Sequence, residues 1–270
     1  MNIIGISTQL YVWSQMKDSA SKGLAGQLSD VSQAGYDGAE FNLTLASDAE
    51  KVAEVRSLLE QYSLKISSLY SGGVFHEAAA APKIISDIVE AAGHASELGV
   101  PSITVNPGSK KGHEEKTDDE LKIQAEILNK LGSGLKKHNM SLLMHNHTPE
   151  MMSNAREFRS YCDLTDPELV NVCMDVHWAL RGGVDPFLLT QEYGSRIKAA
   201  HVRNSKNGVW AEDFGDGDID YMAYKDLLEN INYSGWITVE LAYESATKIT
   251  RSLVENARIS CEYARRIFEV

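Results

Sequence analysis

The sequence predicts one α/β domain, a closed (β/α)8 TIM barrel spanning residues 1–270, and three observations carry that expectation. Apolar runs of strand length alternate eight times with segments of helical periodicity. The strand runs are apolar throughout, as strands covered on both faces are. The length, with no break in composition or linker, fits the roughly 250 residues typical of such a barrel better than two small domains.

The units follow in order. Residues 3–8 form a β-prone run, and 24–34 carry apolar residues at helical spacing before the turn Gly35-Tyr36-Asp37-Gly38. Residues 39–42 read as the second strand, and 49–62 as a helix with Val52, Val55, Leu58 and Leu59 on its inner face. The third strand is 64–70. Its helix has Pro82 near the start, where the missing N–H costs nothing, an inner face from Ile84 to Leu98, and Gly99 at its end. Residues 102–106 are the fourth strand, and Thr117-Asp118-Asp119-Glu120 is a capping-box sequence opening a long helix that closes at His138-Asn139. The fifth strand runs through Leu142-Leu143-Met144 into His145-Asn146-His147, and Pro149 ends it before a helix around 155–161. Residues 169–175 are the sixth strand, with a helix at 186–193, and 197–203 the seventh, followed by a long polar loop. A helix over 219–231, an eighth strand at 236–241 and a final helix over 248–268 complete the chain. An open doubly wound sheet is the rival, but Thr8-Gln9-Leu10-Tyr11 follows the first strand where that fold carries a glycine-rich phosphate loop.

A net charge of -12 and a pI near 5.1 argue against affinity for nucleic acid or an anionic membrane, both of which need basic surface. Cations and neutral small molecules remain as partners. Cys162, Cys173 and Cys261 are scattered without metal spacing and read as buried thiols of a reducing compartment. With no basic, then apolar leader and no membrane-length run, a cytoplasmic protein is expected. A homo-oligomer pairing through rim loops is compatible with an acidic barrel of this size.

In a barrel the carboxyl ends of the strands converge on one mouth. Those ends carry Glu40, Asn106, His145 with His147, Asp175 with His177, His201 with Arg203, and Glu240, each after an otherwise apolar run. A core needs no Asp after Val172-Cys173-Met174, and burying one unpaired costs several kcal/mol, so a cation or donor is expected opposite. Alternation aims His145 and His147 at one face and Asn146 at the other. Asp175, His201 and Glu240 are the expected ligands of a divalent ion. Glu150 is the favoured fourth, with His145 its close alternative. Glu40 reads equally well as a rim residue bonded to backbone.

The chain resembles the xylose-isomerase-like TIM barrels, which include sugar isomerases, sugar 3-epimerases, inosose dehydratase and the endonuclease IV branch. The resemblance runs from Ile3 to about Phe268. It rests on Gly35-Tyr36-Asp37-Gly38-Ala39-Glu40, His145-Asn146-His147, Met174-Asp175-Val176-His177-Trp178 with Gly183-Val184-Asp185-Pro186, His201-Val202-Arg203, Gly215-Asp216-Gly217-Asp218-Ile219-Asp220 and Val239-Glu240. It implies a divalent site, commonly manganese, held by Glu, Asp, His and Glu from strands five to eight. Asp175, His201 and Glu240 match directly, whereas His145 stands where the first Glu is expected. Co2+, Mg2+ and Zn2+ are the other candidate ions.

Such an ion acidifies the carbon-bound proton beside a carbonyl. Glu240 with Glu150 or His145 would then move that proton, making an isomerase or epimerase that works through an enediolate. Loss of a group β to the carbonyl, with His147 or His177 protonating the leaving oxygen, would make a lyase. Glu40, Asn106, His177, Trp178, Arg203 and Trp210 are the expected substrate-binding residues, and the loop over residues 204–217 the expected specificity element. Its acidic character speaks for an unphosphorylated keto-sugar, polyol or keto-glycoside. An endonuclease needs a multi-metal cluster and a basic face, against the charge balance. A sugar-binding module with a closed structural metal is the non-enzymatic alternative.

Overall fold

The computed structural model describes residues 1–270 apart from the side chain of His113. Eight parallel strands, Asn2–Gln9, Gly38–Asn42, Lys65–Gly72, Ser102–Asn106, Ser141–His145, Val170–Asp175, Ile197–Val202 and Ser234–Val239, close into a barrel in which the first pairs with both the second and the last. The helices that follow each strand lie outside. This is the (β/α)8 architecture expected from the apolar runs.

Two cores result. The large one lies between strands and helices, where Leu142, Met144, Val172, Met174, Ala200 and Val202 point outward. A small separate cluster, Leu143, Cys173 and Ala199, fills the interior. Elsewhere the interior carries polar pairs, with the Ser7 and Thr238 hydroxyls 2.7 Å apart and those of Ser68 and Thr104 2.8 Å apart. Alternation then decides the site. Two residues beyond Leu143, Cys173 and Ala199 come His145, Asp175 and His201, one pleat higher on the same inner face.

Several elements differ from expectation. Short helices at Tyr11–Gln15, Lys17–Ala20 and Val176–Arg181 follow the first and sixth strands, and Ser205–Lys206 pairs with Val209–Trp210 as a hairpin inside the polar loop. The helix after strand five starts at Thr148 and is interrupted at Met152–Ala155, where Ser153, Asn154 and Ala155 have positive φ. The last helix begins at Leu253 rather than near Lys248. Glu212 accepts from the Thr250 and Arg251 backbone N–H groups at 2.7 and 3.3 Å, giving them partners outside a helix, and Ser252 caps the N–H of Glu255.

Candidate active site

Four inward side chains from consecutive strands, His145, Asp175, His201 and Glu240, bring one ligand atom each to within 4.8 Å of one another, all buried. The Cα atoms of Asp175 and His201 are register partners, so adjacency follows from the sheet. His201 donates or accepts at Nδ1 with Glu240 Oε2 at 2.6 Å, while its Nε2 lies 3.3 Å from Glu40 Oε2. The Arg203 guanidinium donates to Asp175 Oδ2 at 3.0 Å and lies 3.7 Å from Glu240 Oε1. It lies against the edge-on pair of Trp178 and Trp210, 4.9 and 4.6 Å from their ring centroids.

The charges follow from these contacts. Burial alone would raise the carboxyls of Asp175 and Glu240, but Arg203 and His145 hold both below their ordinary range, with His201 adding to the effect on Glu240. Burial opposes charge on His145 and His201, yet Asp175 and Glu240 raise the first, and Cys173, Glu40 and Glu240 raise the second. His147 is pushed down to about 4 by burial and by His145. His177 also falls to about 4, chiefly by burial. Neither is a proton store at neutral pH.

The group fits a divalent ion. Both ring nitrogens of buried His145 lack a hydrogen-bond partner, although Nε2 lies 3.4 Å from Glu240 Oε2 and 3.6 Å from Asp175 Oδ2. Two ligand atoms on one ion at about 2.1 Å each are separated by roughly 3.0–3.4 Å, so the spacing is close to that of a shared ion. His201 has a carboxylate at each nitrogen; whichever faces an ion, the other is oriented by an acid.

Glu150, the favoured fourth ligand, lies outside this group, and His145 takes that place. Glu150 sits in the first turn of the helix, where its Oε2 accepts from the His147 backbone N–H at 2.6 Å, and burial and Glu157 push its carboxyl up to about 6. The reason is alternation: His145 is the last inward position of its strand, and Glu150 belongs to the next element. His147 does lie against His145, their rings 4.8 Å apart. Asn146, aimed away, clamps the end of strand six by bonding both N–H and C=O of Asp175 at 3.0 Å.

Above the cluster opens a cavity of about 580 Å³ lined by Tyr11, Tyr70, His147, Trp178, Arg203, Trp210 and Glu240 among others. Five of the expected substrate and catalytic residues, His147, Trp178, Arg203, Trp210 and Glu240, thus face it. The other three expected contacts lie behind it. Glu40 is buried against His201, Asn106 Nδ2 donates to His147 Nδ1 at 3.0 Å, and His177 donates through Nε2 to Ser205 Oγ at 2.8 Å, whose hydroxyl donates to Asp218 at 2.6 Å. Asp218 also accepts from the N–H groups of Asn207 and Gly208 at the hairpin tip, so Ser205 and Asp218 fix the hairpin carrying Trp210. The sequence places Asp218 in a motif and Ser205 in the expected specificity loop but assigns neither this role, although the Asn207-Gly208 pair is a hairpin-turn signal.

Fold and site together define a (β/α)8 barrel with a buried four-residue group at its strand ends that fits a divalent ion. The chain belongs to the xylose isomerase-like TIM barrel family, whose model matches residues 28–267. It is 26% identical over 249 residues to the inosose dehydratase of Geobacillus kaustophilus, covering 81% of this chain and 80% of that one, and 31% identical over 148 residues to that of Clostridium tetani, covering 48% and 50%. In fold it is similar to a sugar phosphate isomerase/epimerase from Parabacteroides distasonis (TM-score 0.78, 20% identity, 97% and 93% of the two chains) and to an L-ribulose 3-epimerase (0.77, 17%, 100% and 95%).

Proposed function

We propose that the protein is a divalent-metal-dependent lyase that eliminates water, or another oxygen leaving group β to a carbonyl, from an unphosphorylated keto-polyol or keto-sugar. One observation carries this reading: among the described residues lining the cavity, Glu240 is the lone carboxylate. Epimerisation through an enediolate asks for a proton acceptor on one face and a donor on the other. Here the strand-five position that would hold a second carboxylate holds His145, beneath the cavity. Elimination needs one such group. The dehydratase relatives support the same reading.

When bound, the ion polarises the substrate carbonyl and acidifies the neighbouring C–H. Glu240, ionised through its contacts with Arg203 and His201, takes the α proton. The C–H electron pair becomes the new C=C bond as the β C–O bond breaks, and Glu240 returns the proton to the departing oxygen on the same face, releasing water and an enone. Gly108 N–H donates to Asn106 Oδ1 at 3.0 Å, which turns the Asn106 amide N–H toward His147 Nδ1 and leaves the imidazole proton on Nε2. His147 therefore donates a hydrogen bond to developing negative charge. Arg203, the one cationic side chain among the described lining residues, is committed to Asp175, which leaves no free cation for a phosphate. Two imidazoles with two carboxylates suit Mn2+, Co2+ or Zn2+ better than Mg2+, which favours oxygen donors.

The second reading is 1,2-isomerisation, because a single base also suffices to move a proton between adjacent carbons. The test is incubation of Mn2+-loaded protein with an inosose and a panel of keto-sugars, followed by mass spectrometry and ultraviolet absorbance. Loss of water with growth of enone absorbance is expected. A product of unchanged mass would replace this reading by the second, and no turnover on any member would sink both.

A further inference from the structure

A hexose displaces about six waters, roughly 180 Å³ at about 30 Å³ each. The cavity over the strand ends, at about 580 Å³, holds some three times that. Its chemistry is mixed. Glu240, Arg203 and His147 supply charge and hydrogen bonding beside the cluster, and Tyr11, Tyr70, Pro149, Trp178, Trp210 and Ala242 supply ring and apolar surface to the same lining.

The aromatic wall is built in advance. Arg203 and Arg181 both lie against Trp210, their guanidinium carbons 4.6 and 4.5 Å from its ring centroid. Glu244 accepts both the Trp210 backbone N–H and Arg181, each at 2.9 Å, and Asp218 locks the turn of its hairpin. Trp178 packs edge-on against Trp210 at 5.3 Å. Tyr11 stands at the mouth, half-exposed with no partner for its ring among the described aromatic pairs.

Resting on the reading that a keto-sugar ring reacts beside the cluster, we infer that the substrate is a keto-glycoside whose aglycone is aromatic or otherwise apolar and packs on the ring surface of the cavity. A second sugar is the competing occupant by size. It would bring several hydroxyls that need partners, and apart from Glu240, Arg203 and His147 the described lining offers the side chains of Ser109, Thr148 and Gln9 and the Tyr11 and Tyr70 hydroxyls against a larger apolar surface. Flat or apolar groups gain most from such a wall, because ring contacts add to the area they remove from water.

Binding is measured by calorimetry on the Mn2+-loaded full chain with three glycosides that lack a carbonyl and therefore do not react: phenyl β-glucoside, methyl β-glucoside and cellobiose closed at its reducing end as the methyl glycoside. Phenyl β-glucoside is expected to bind at least tenfold tighter than methyl β-glucoside and tighter than the cellobioside. Tyr11→Ala, a change at a half-exposed side chain, is expected to shrink the phenyl preference at least threefold. Equal affinity for phenyl and methyl glucosides, tighter binding of the cellobioside, no binding of any of the three, or a phenyl preference untouched by Tyr11→Ala overturns the inference. A phenyl preference in a protein that eliminates nothing from any keto-sugar would instead sink the reaction and leave the aglycone site standing.

Discussion

Arg203 shows how much of this site is one electrostatic unit. The residue is 2% exposed, and its guanidinium meets Asp175 and Glu240 and lies against two indoles. Arg203→Met keeps the apolar contact and deletes the charge, leaving two buried carboxylates short of a cation. Such a break costs about 3–5 kcal/mol, so the urea midpoint of the metal-free protein is expected to fall accordingly; an unchanged midpoint would mean the pair is not buried as described. His147 acts differently, since it faces the cavity and its proton is placed by Asn106. His147→Ala is expected to lower kcat by about a hundredfold with KM little changed, as loss of a donor to developing negative charge does; a rise in KM alone would make it a ground-state contact. At this scale Asp175, His201 and Glu240 were legible because an ionisable group ending an apolar strand has few bland explanations. The choice between His145 and Glu150 was not, because it turns on where strand five ends, and the pattern at 145–150 offers ligands on both sides of that boundary.

Among the elements, the segment before the last helix carries the sharpest pH dependence. Glu212 lies in the long loop after strand seven and accepts from Thr250 N–H and Oγ, Arg251 N–H and Asn256 Nδ2, tying that loop to the start of the final helix. Burial opposes its ionisation, but these donors hold its carboxyl down to about 2. A carboxyl depressed on folding stabilises above its unfolded value, near 4.3, and loses that contribution as pH falls through its folded value. Glu212→Gln is therefore expected to cost about 1–2 kcal/mol at neutral pH, with the gap between wild type and variant narrowing from about pH 4.5 down to about pH 2. Denaturant titrations at several pH values check this, and a gap constant with pH would show that the carboxylate charge is not what holds the loop. The strands were readable from their apolar runs and the helix at Ala49–Tyr62 from its spacing, since those patterns record burial against one large core. The late start of Leu253–Phe268 was hidden because Glu212 satisfies Thr250 and Arg251 from 38 and 39 residues away. Only Ser252 followed by Glu255 signalled it locally.

For the molecule as a whole, the ligand cluster has a mechanical consequence. Its four members come from four adjacent strands, fifth to eighth, so an ion there ties half of the barrel wall together at its carboxyl edge. Barrel closure relies on the first strand's pairing with the eighth, and Glu240 extends directly from that eighth strand. A ligand that binds only the folded chain stabilises by mass action, about 2.7 kcal/mol at a hundred times Kd. For a chain of this size that corresponds to a rise in Tm of roughly 5–10 °C. Mn2+ is therefore expected to raise Tm in proportion to the logarithm of its concentration, with chelator reversing the effect. His145→Ala is expected to abolish the rise while the metal-free variant still unfolds cooperatively, because the imidazole it removes has no hydrogen bond to lose. A metal-induced rise that survives both His145→Ala and Glu240→Ala would place the ion elsewhere on this acidic surface, and the elimination chemistry assigned to the strand ends would go with it.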